Sequence, residues 1–216
     1  MKKILKGISL TSVLLAGSLA NSQVSATIVD FTDAAWSDAA GYQNFSLNLG
    51  DLQVTISSQP SVNTTLFWDA ADGFGVNGLN DSDSYSDEID YHDGDSIFEE
   101  IMISFSSAVT LNNFTVSDFF NGTGLYGAAE TGQVSFNDGS FYSFESVVSQ
   151  TGDPKQSISL SATDVEKIVF RAGDSASDFA VNGLDISSSS VSVPEPPVAL
   201  LLGPAMALLL VRRKVS

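Results

Sequence analysis

Between Asp69 and Glu100 the chain places eleven carboxylates and no Lys or Arg. Within this stretch Asp81, Asp83, Asp87, Asp90, Asp93 and Asp95 alternate with Ser, Gly and other small or polar residues. Hard oxygen donors at such spacing suit Ca²⁺, which takes about six to eight oxygens in a flexible cage. Carboxylates this dense repel one another when no cation neutralises them. The spacing is not that of an EF-hand, because the twelfth position counted from Asp81 is His92, where a bidentate Glu is required. The segment reads as a solvated acidic loop that keeps the protein soluble. The alternative is a calcium-holding loop with those six aspartates as ligands.

Other constellations carry weaker chemistry. His92 is the sole histidine, so any Ser-His-Asp mechanism must use it, yet no G-x-S-x-G elbow occurs. A glycosidase needs two facing carboxylates, and the sequence singles out no pair. Gly73-Phe-Gly75-Val-Asn-Gly78 and Gly122-Thr-Gly124-Leu-Tyr-Gly127 fit G-x-G-x-x-G, but neither precedes the helical periodicity a pyrophosphate site requires. Both read as turn glycines. Trp36, Tyr42, Trp68, Tyr85, Tyr91 and Tyr126 are candidates for a sugar-stacking platform, against ordinary core packing. Asn44, Asn63, Asn80, Asn113 and Asn121 open N-x-S/T matches, which a chain rich in Asn, Ser and Thr produces by composition.

The elements expected to position these residues are strands. Period-2 alternation recurs at Leu47/Leu49, Leu52/Val54/Ile56, Ile101/Ile103/Phe105, Phe114/Val116, Ile158/Leu160, Ile168/Phe170 and Phe179/Val181. Val134/Phe136 and Tyr142/Phe144 flank Asn137-Asp138-Gly139, a hairpin signal. Eight or nine short strands predict an all-β fold, an antiparallel two-sheet β-sandwich. Long connections at 71–95 and 121–131 favour a jelly-roll-like topology. Residues 162–166 carry a capping option and predict one helical turn at most.

The charge is unevenly distributed. The 216 residues carry a net charge of −17, but residues 27–193 hold 25 acids against Lys155, Lys167 and Arg171. Such a module repels phosphate backbones, so nucleic acid is excluded as a partner. No cysteine is present, which removes disulfides and thiolate chemistry. A hydrophobic content of 43% with 14 Phe supplies a core.

Both ends read as addresses. Lys2, Lys3 and Lys6, an apolar run over 8–19 and Val24-Ser25-Ala26 predict a helical signal peptide over 1–26, handled by the Sec translocon and signal peptidase. Cleavage is placed after Ala26, with a cut after Ala20 as the alternative. A β-sandwich domain over 27–187 and a Ser-rich linker over 188–193 follow. An extended Val193-Pro194-Glu195-Pro196-Pro197 then precedes an apolar run from Val198 to Val211, closed by Arg212, Arg213 and Lys214. Fourteen helical residues rise ~21 Å, short of the roughly 30 Å hydrocarbon core, and Pro204 kinks the run. The uniform apolarity and the basic cluster nevertheless favour a short transmembrane helix with Ser216 in the cytoplasm.

The ordered triple of Pro-Glu-Pro, Leu-rich segment and basic cluster over 193–214 resembles the PEP-CTERM sorting signal. The resemblance implies an exported Gram-negative protein, transiently membrane-anchored by its tail and then delivered to the cell surface or extracellular space. The implied partner is exosortase, a membrane transpeptidase that reads Pro194, Glu195 and Pro196 and removes or replaces the hydrophobic tail. Such proteins are associated with extracellular polysaccharide, biofilm and floc formation. More loosely, Gly73–Val76, Asp87–Asp90 and Glu100–Phe105 resemble runs in ectodomains of that class, which implies a β-sandwich. The expectation is a non-enzymatic structural or adhesive surface protein. The alternatives are a calcium-dependent carbohydrate-binding module and, third, a secreted hydrolase.

Overall fold

Strand rather than helix dominates because apolar residues alternate with Ser, Thr and Asn along most of the module, giving each segment one face to bury. The computed structural model describes residues 24–60, 63–78, 87–92, 97–121, 129–148, 155–175 and 177–189. In chain order the strands are β1 (Val24–Asp30), β2 (Asn44–Leu49), β3 (Leu52–Gln59), β4 (Thr65–Asp69), β5 (Gly73–Asn77), β6 (Tyr91–His92) and β7 (Ile97–Phe98). They continue with β8 (Glu100–Ser117), β9 (Thr131–Phe136), β10 (Tyr142–Glu145), β11 (Gln156–Ile158), β12 (Ala162–Ala172) and β13 (Ala180–Ser189). A 3₁₀ helix, Ala34–Ala39, sits between β1 and β2, its first turn capped by the Asp33 side chain.

Every pairing among the named strands is antiparallel. Eleven strands share one continuous ladder, and β6 pairs separately with β7. The 18-residue β8 is its spine. Residues 100–105 lie between β3 and β12, while residues 110–117 pair with β13. The apolar phase changes along the way: Ile101, Ile103, Phe105, Val109 and Leu111 are buried, then Phe114 and Val116. The slip of one residue falls at a register shift against β13 between Asp185 and Ile186. There Asn112 Nδ2 and Asn113 Nδ2 donate to the two oxygens of Asp185, at 3.1 and 3.0 Å. The bulge is thus closed by side chains.

The all-β, antiparallel expectation holds, as do the strands at Leu47/Leu49, Leu52/Val54/Ile56 and Ile168/Phe170 and the β9–β10 hairpin. Four expectations are corrected. Ile101/Ile103/Phe105 and Phe114/Val116 belong to one strand: exposed Ser106-Ser107-Ala108 mimics a turn but remains extended, and Ser106 Oγ accepts the Gln53 N–H at 2.9 Å. Residues 162–166 open β12 instead of a helical turn, because Val165 is buried opposite Val109 while Asp164 takes φ 56° within the register shift. The connection at 71–95 contains β5 and β6. Gly73–Asn77 is therefore a strand rather than a turn, with glycine demanded by neighbouring backbone.

The core joins strands from both halves of β8. Phe114 packs edge-on against Phe144 and Phe170, with ring centroids 5.1 Å apart in each pair. Phe119 and Phe179 extend this group, 5.6 Å apart. Phe31, Trp36 and Phe74 form a second aromatic group under the 3₁₀ helix. The compact unit spans Val24–Ser189. Ala26 lies within β1, opposite Ser187. Residues 1–23 of the expected signal peptide (1–26), residues 190–193 of the expected linker (188–193) and the whole expected sorting tail (194–216) lie outside the described residues. Among the described residues no helix is long and apolar enough to cross a membrane.

Candidate functional site

Carboxylates from five separate segments act on one another beside the Phe119–Phe179 group. Asp69 and Asp72 flank the β4–β5 turn, where Asp69 Oδ1 accepts the backbone N–H groups of Ala71 and Asp72 at 2.6 and 2.8 Å. Asp118 follows β8 in a left-handed conformation, φ 53°. Glu130 precedes β9, and its carboxylate accepts the Phe120 N–H while its own N–H donates to the Phe120 carbonyl at 3.0 Å. Asp178 precedes β13. Residues 87–90 are drawn in because the Ile89 N–H donates to the Phe179 carbonyl at 2.8 Å and the Val76 N–H to the Glu88 carbonyl at 3.2 Å. Ile89 and Phe179 are both fully buried, so two acids are carried inward beside two anchors.

Burial and mutual repulsion raise all the strongly perturbed groups here. Glu88 is pushed furthest, to about 10, first by burial and then by the charges of Asp178, Asp118, Asp87 and Glu130. Burial raises Glu130 to about 8, opposed by the Phe120 N–H and reinforced by Asp178. Asp178 rises to about 6 through burial, while hydrogen bonds from Glu130 and Glu88 hold it lower than its two neighbours. Asp72 likewise rises to about 6, through burial and then Asp118 and Asp69. Asp118 rises through burial, and its hydrogen bond with Asp72 opposes the rise.

Glu130 and Glu88 each interact with Asp178, and Asp72 with Asp118, so these acids share protons as coupled carboxyl–carboxylate pairs. Glu130 and Asp178 couple directly, each shifting the other's protonation. The arrangement can hold protons between carboxyl groups or trade them for a cation. Among the described residues no three acidic or histidine side chains form a ready metal-ligand set.

Of the six aspartates expected as calcium ligands, Asp87 and Asp90 are placed, and both act here: Asp87 on Glu88, Asp90 on Asp178. Asp81, Asp83, Asp93 and Asp95 lie outside the described residues, as do Val193, Pro194, Glu195, Pro196, Arg212, Arg213 and Lys214. The backbone of His92, in β6, pairs with Ile97 of β7. The aromatic platform does not assemble from the described rings. Trp36 is buried in the core, Trp68 donates its indole N–H to the Phe31 carbonyl at 2.7 Å, and Tyr91 packs on Phe98 at 4.5 Å. Tyr42 alone of these is largely exposed.

Sequence reasoning missed Asp72, Glu88, Asp118, Glu130 and Asp178. A signal was available for three: Glu88-Ile89, Asp118-Phe119 and Asp178-Phe179 each set an acid directly before an apolar residue that is fully buried. A comparison with protein-family models finds no match for this chain, and a comparison with curated proteins finds none either.

Proposed function

We propose that this chain is an exported, non-catalytic protein of the cell surface or extracellular matrix, delivered through a PEP-CTERM tail. The observation that carries the reading is the ordered triple at 193–214: Val193-Pro194-Glu195-Pro196, a Leu-rich run and Arg212-Arg213-Lys214. An exosortase-type transpeptidase reads Pro194, Glu195 and Pro196 after Sec export, while the basic cluster holds orientation until processing. β13 runs to Ser189, opposite Val24 of β1, and so takes in the first two residues of the Ser-rich linker. The finer architecture is two facing layers that share β8 and bury Val54, Ile103, Phe114 and Ile186 in one core. Intact-mass measurement on the exported protein tests the sorting reading. Loss of residues beyond about Pro196 is expected, and Ser216 retained on exported protein overturns it.

The second reading is a calcium-dependent carbohydrate-binding module. It is supported by the eleven carboxylates and no Lys or Arg of the 69–100 segment, where Glu88 is also repelled by Asp178, Asp118, Asp87 and Glu130, a repulsion that a divalent ion relieves. Millimolar Ca²⁺ then raises the melting temperature of the full chain. No shift beyond an ionic-strength control rejects it.

A further inference from the structure

We infer that the open groove between the 3₁₀ helix and β2 is a subsite for a neutral saccharide. The groove is open to solvent, offers about 690 Å³, and is lined by Ser37, Asp38 and Ala40 from the 3₁₀ helix and its end, by Tyr42, and by Asn44, Phe45 and Ser46 of β2. That volume lies within the roughly 300–1,000 Å³ typical of small-molecule sites.

Three observations point to a sugar. Tyr42 is 62% exposed, yet its backbone is fixed from both sides. Its N–H donates to the Ala39 carbonyl at 3.1 Å and its carbonyl accepts from Leu66 at 2.7 Å, while the Gly41 N–H donates to the Leu66 carbonyl at 2.9 Å. A large ring is thus presented on a rigid base, so stacking a ligand on it orders little protein. The C–H face of a pyranose packs on the negative face of such a ring. The lining also carries the Asp38 carboxylate and the Asn44 amide, short polar groups that match a sugar's hydroxyls. Ser37 Oγ already donates to the Ala34 carbonyl and Ser46 Oγ pairs with Thr55 Oγ1, leaving lone pairs to accept from a ligand.

Charge narrows the class further. The lining has one acid and no base, within a module that holds 25 acids against three bases. Phosphorylated or uronic ligands are repelled, and a purely apolar ligand finds only Tyr42, Phe45 and Ala40. A neutral oligosaccharide satisfies both faces of the site. The inference deepens the proposed matrix role, on which it rests for the source of its ligand. It places sugar binding away from the carboxylate centre.

The test titrates cellohexaose, maltohexaose, xylohexaose and chitohexaose into the full chain by calorimetry, with and without EDTA. At least one is expected to bind, unaffected by EDTA, with a loss of tenfold or more in Tyr42→Ala and retention in Tyr42→Trp. Asn44→Ala, also exposed, is expected to weaken binding and provides a second variant if Tyr42→Ala fails to fold. The inference is overturned if no hexaose binds, if Tyr42→Ala or a folded Asn44→Ala binds like wild type, or if EDTA abolishes binding. The sorting proposal is read separately, from the mass of the mature C-terminus, so either can fail alone.

Discussion

The backbone of Asp87 crosses directly over Gly75, so that a Cβ on Gly75 would overlap the Asp87 carbonyl oxygen. This crossing holds Glu88 against the other carboxylates. Gly75→Ala is expected to displace residues 87–90 and to destabilise the protein by roughly 1–3 kcal/mol, the usual cost of overpacking. Gly139→Ala, where a Cβ meets a single carbonyl oxygen at 2.9 Å, is expected to cost less. Urea midpoints of the two variants check the order.

The carboxylate centre makes stability depend on pH in an unusual sense. Asp72 and Asp178 titrate near 6 and Glu130 near 8 in the folded chain, against ordinary values of 3.8 and 4.5. The native state therefore holds protons that the unfolded chain releases. Their stabilising contribution is complete below about pH 4 and is lost as pH rises through 6 and then 8. Chemical denaturation at pH 5 and pH 8.5 is expected to give the lower midpoint at 8.5. Glu130→Gln is expected to flatten that difference.

Asp185 closes the β8 bulge by accepting from Asn112 and Asn113. Asp185→Ala leaves two amides without their acceptor in a partly buried position and is expected to cost about 1–3 kcal/mol. Asp185→Asn retains one acceptor oxygen and is expected to recover part of that loss. Equilibrium unfolding of both variants measures it.

The Arg171 guanidinium stands 3.6 Å from the Phe141 ring centroid and 4.5 Å from that of Phe98, with Glu100 at 3.8 Å. Its Nε also donates to Gln133 Oε1 at 2.8 Å. One side chain thus ties β7 to β12 and to the β9–β10 connection. Arg171→Lys, which lacks the planar fork, is expected to lose about 1 kcal/mol and to speed amide exchange at Phe98.

Ala26 pairs with Ser187 inside β1, and the ladder continues back to Val24 opposite Ser189. Cleavage after Ala20 keeps all seven β1 pairs, whereas cleavage after Ala26 removes three. N-terminal sequencing of the exported protein is expected to read a residue upstream of Val24. A mature chain starting at Thr27 rejects this.

Alternation was legible wherever a strand keeps one face in the core, as in β3, with Val54 and Ile56 buried. It misled where the chain breaks phase: exposed Ser106-Ser107-Ala108 and the bulge at Asn112–Asn113 together disguised one long strand as two. The glycines of β5 looked like turns because the backbone they accommodate comes from distant residues. The acidic loop was visible as a composition, but the centre depends on Asp72, Asp118, Glu130 and Asp178, separated by up to 106 positions. Such a gathering is set by tertiary folding, and the only local trace was an acid preceding a deeply buried apolar neighbour.

The antiparallel register that brings Val24 opposite Ser189 also decides how the module answers tension. Pulling those two residues apart loads the β1–β13 bonds one after another, like a zipper, so the pair yields to small forces. Pulling at Ser189 against a distant point on the surface instead slides β13 along β8, which loads seven paired positions together. Held by its C-terminal side alone, the module is a stiff tether; gripped at both ends, it is a weak one.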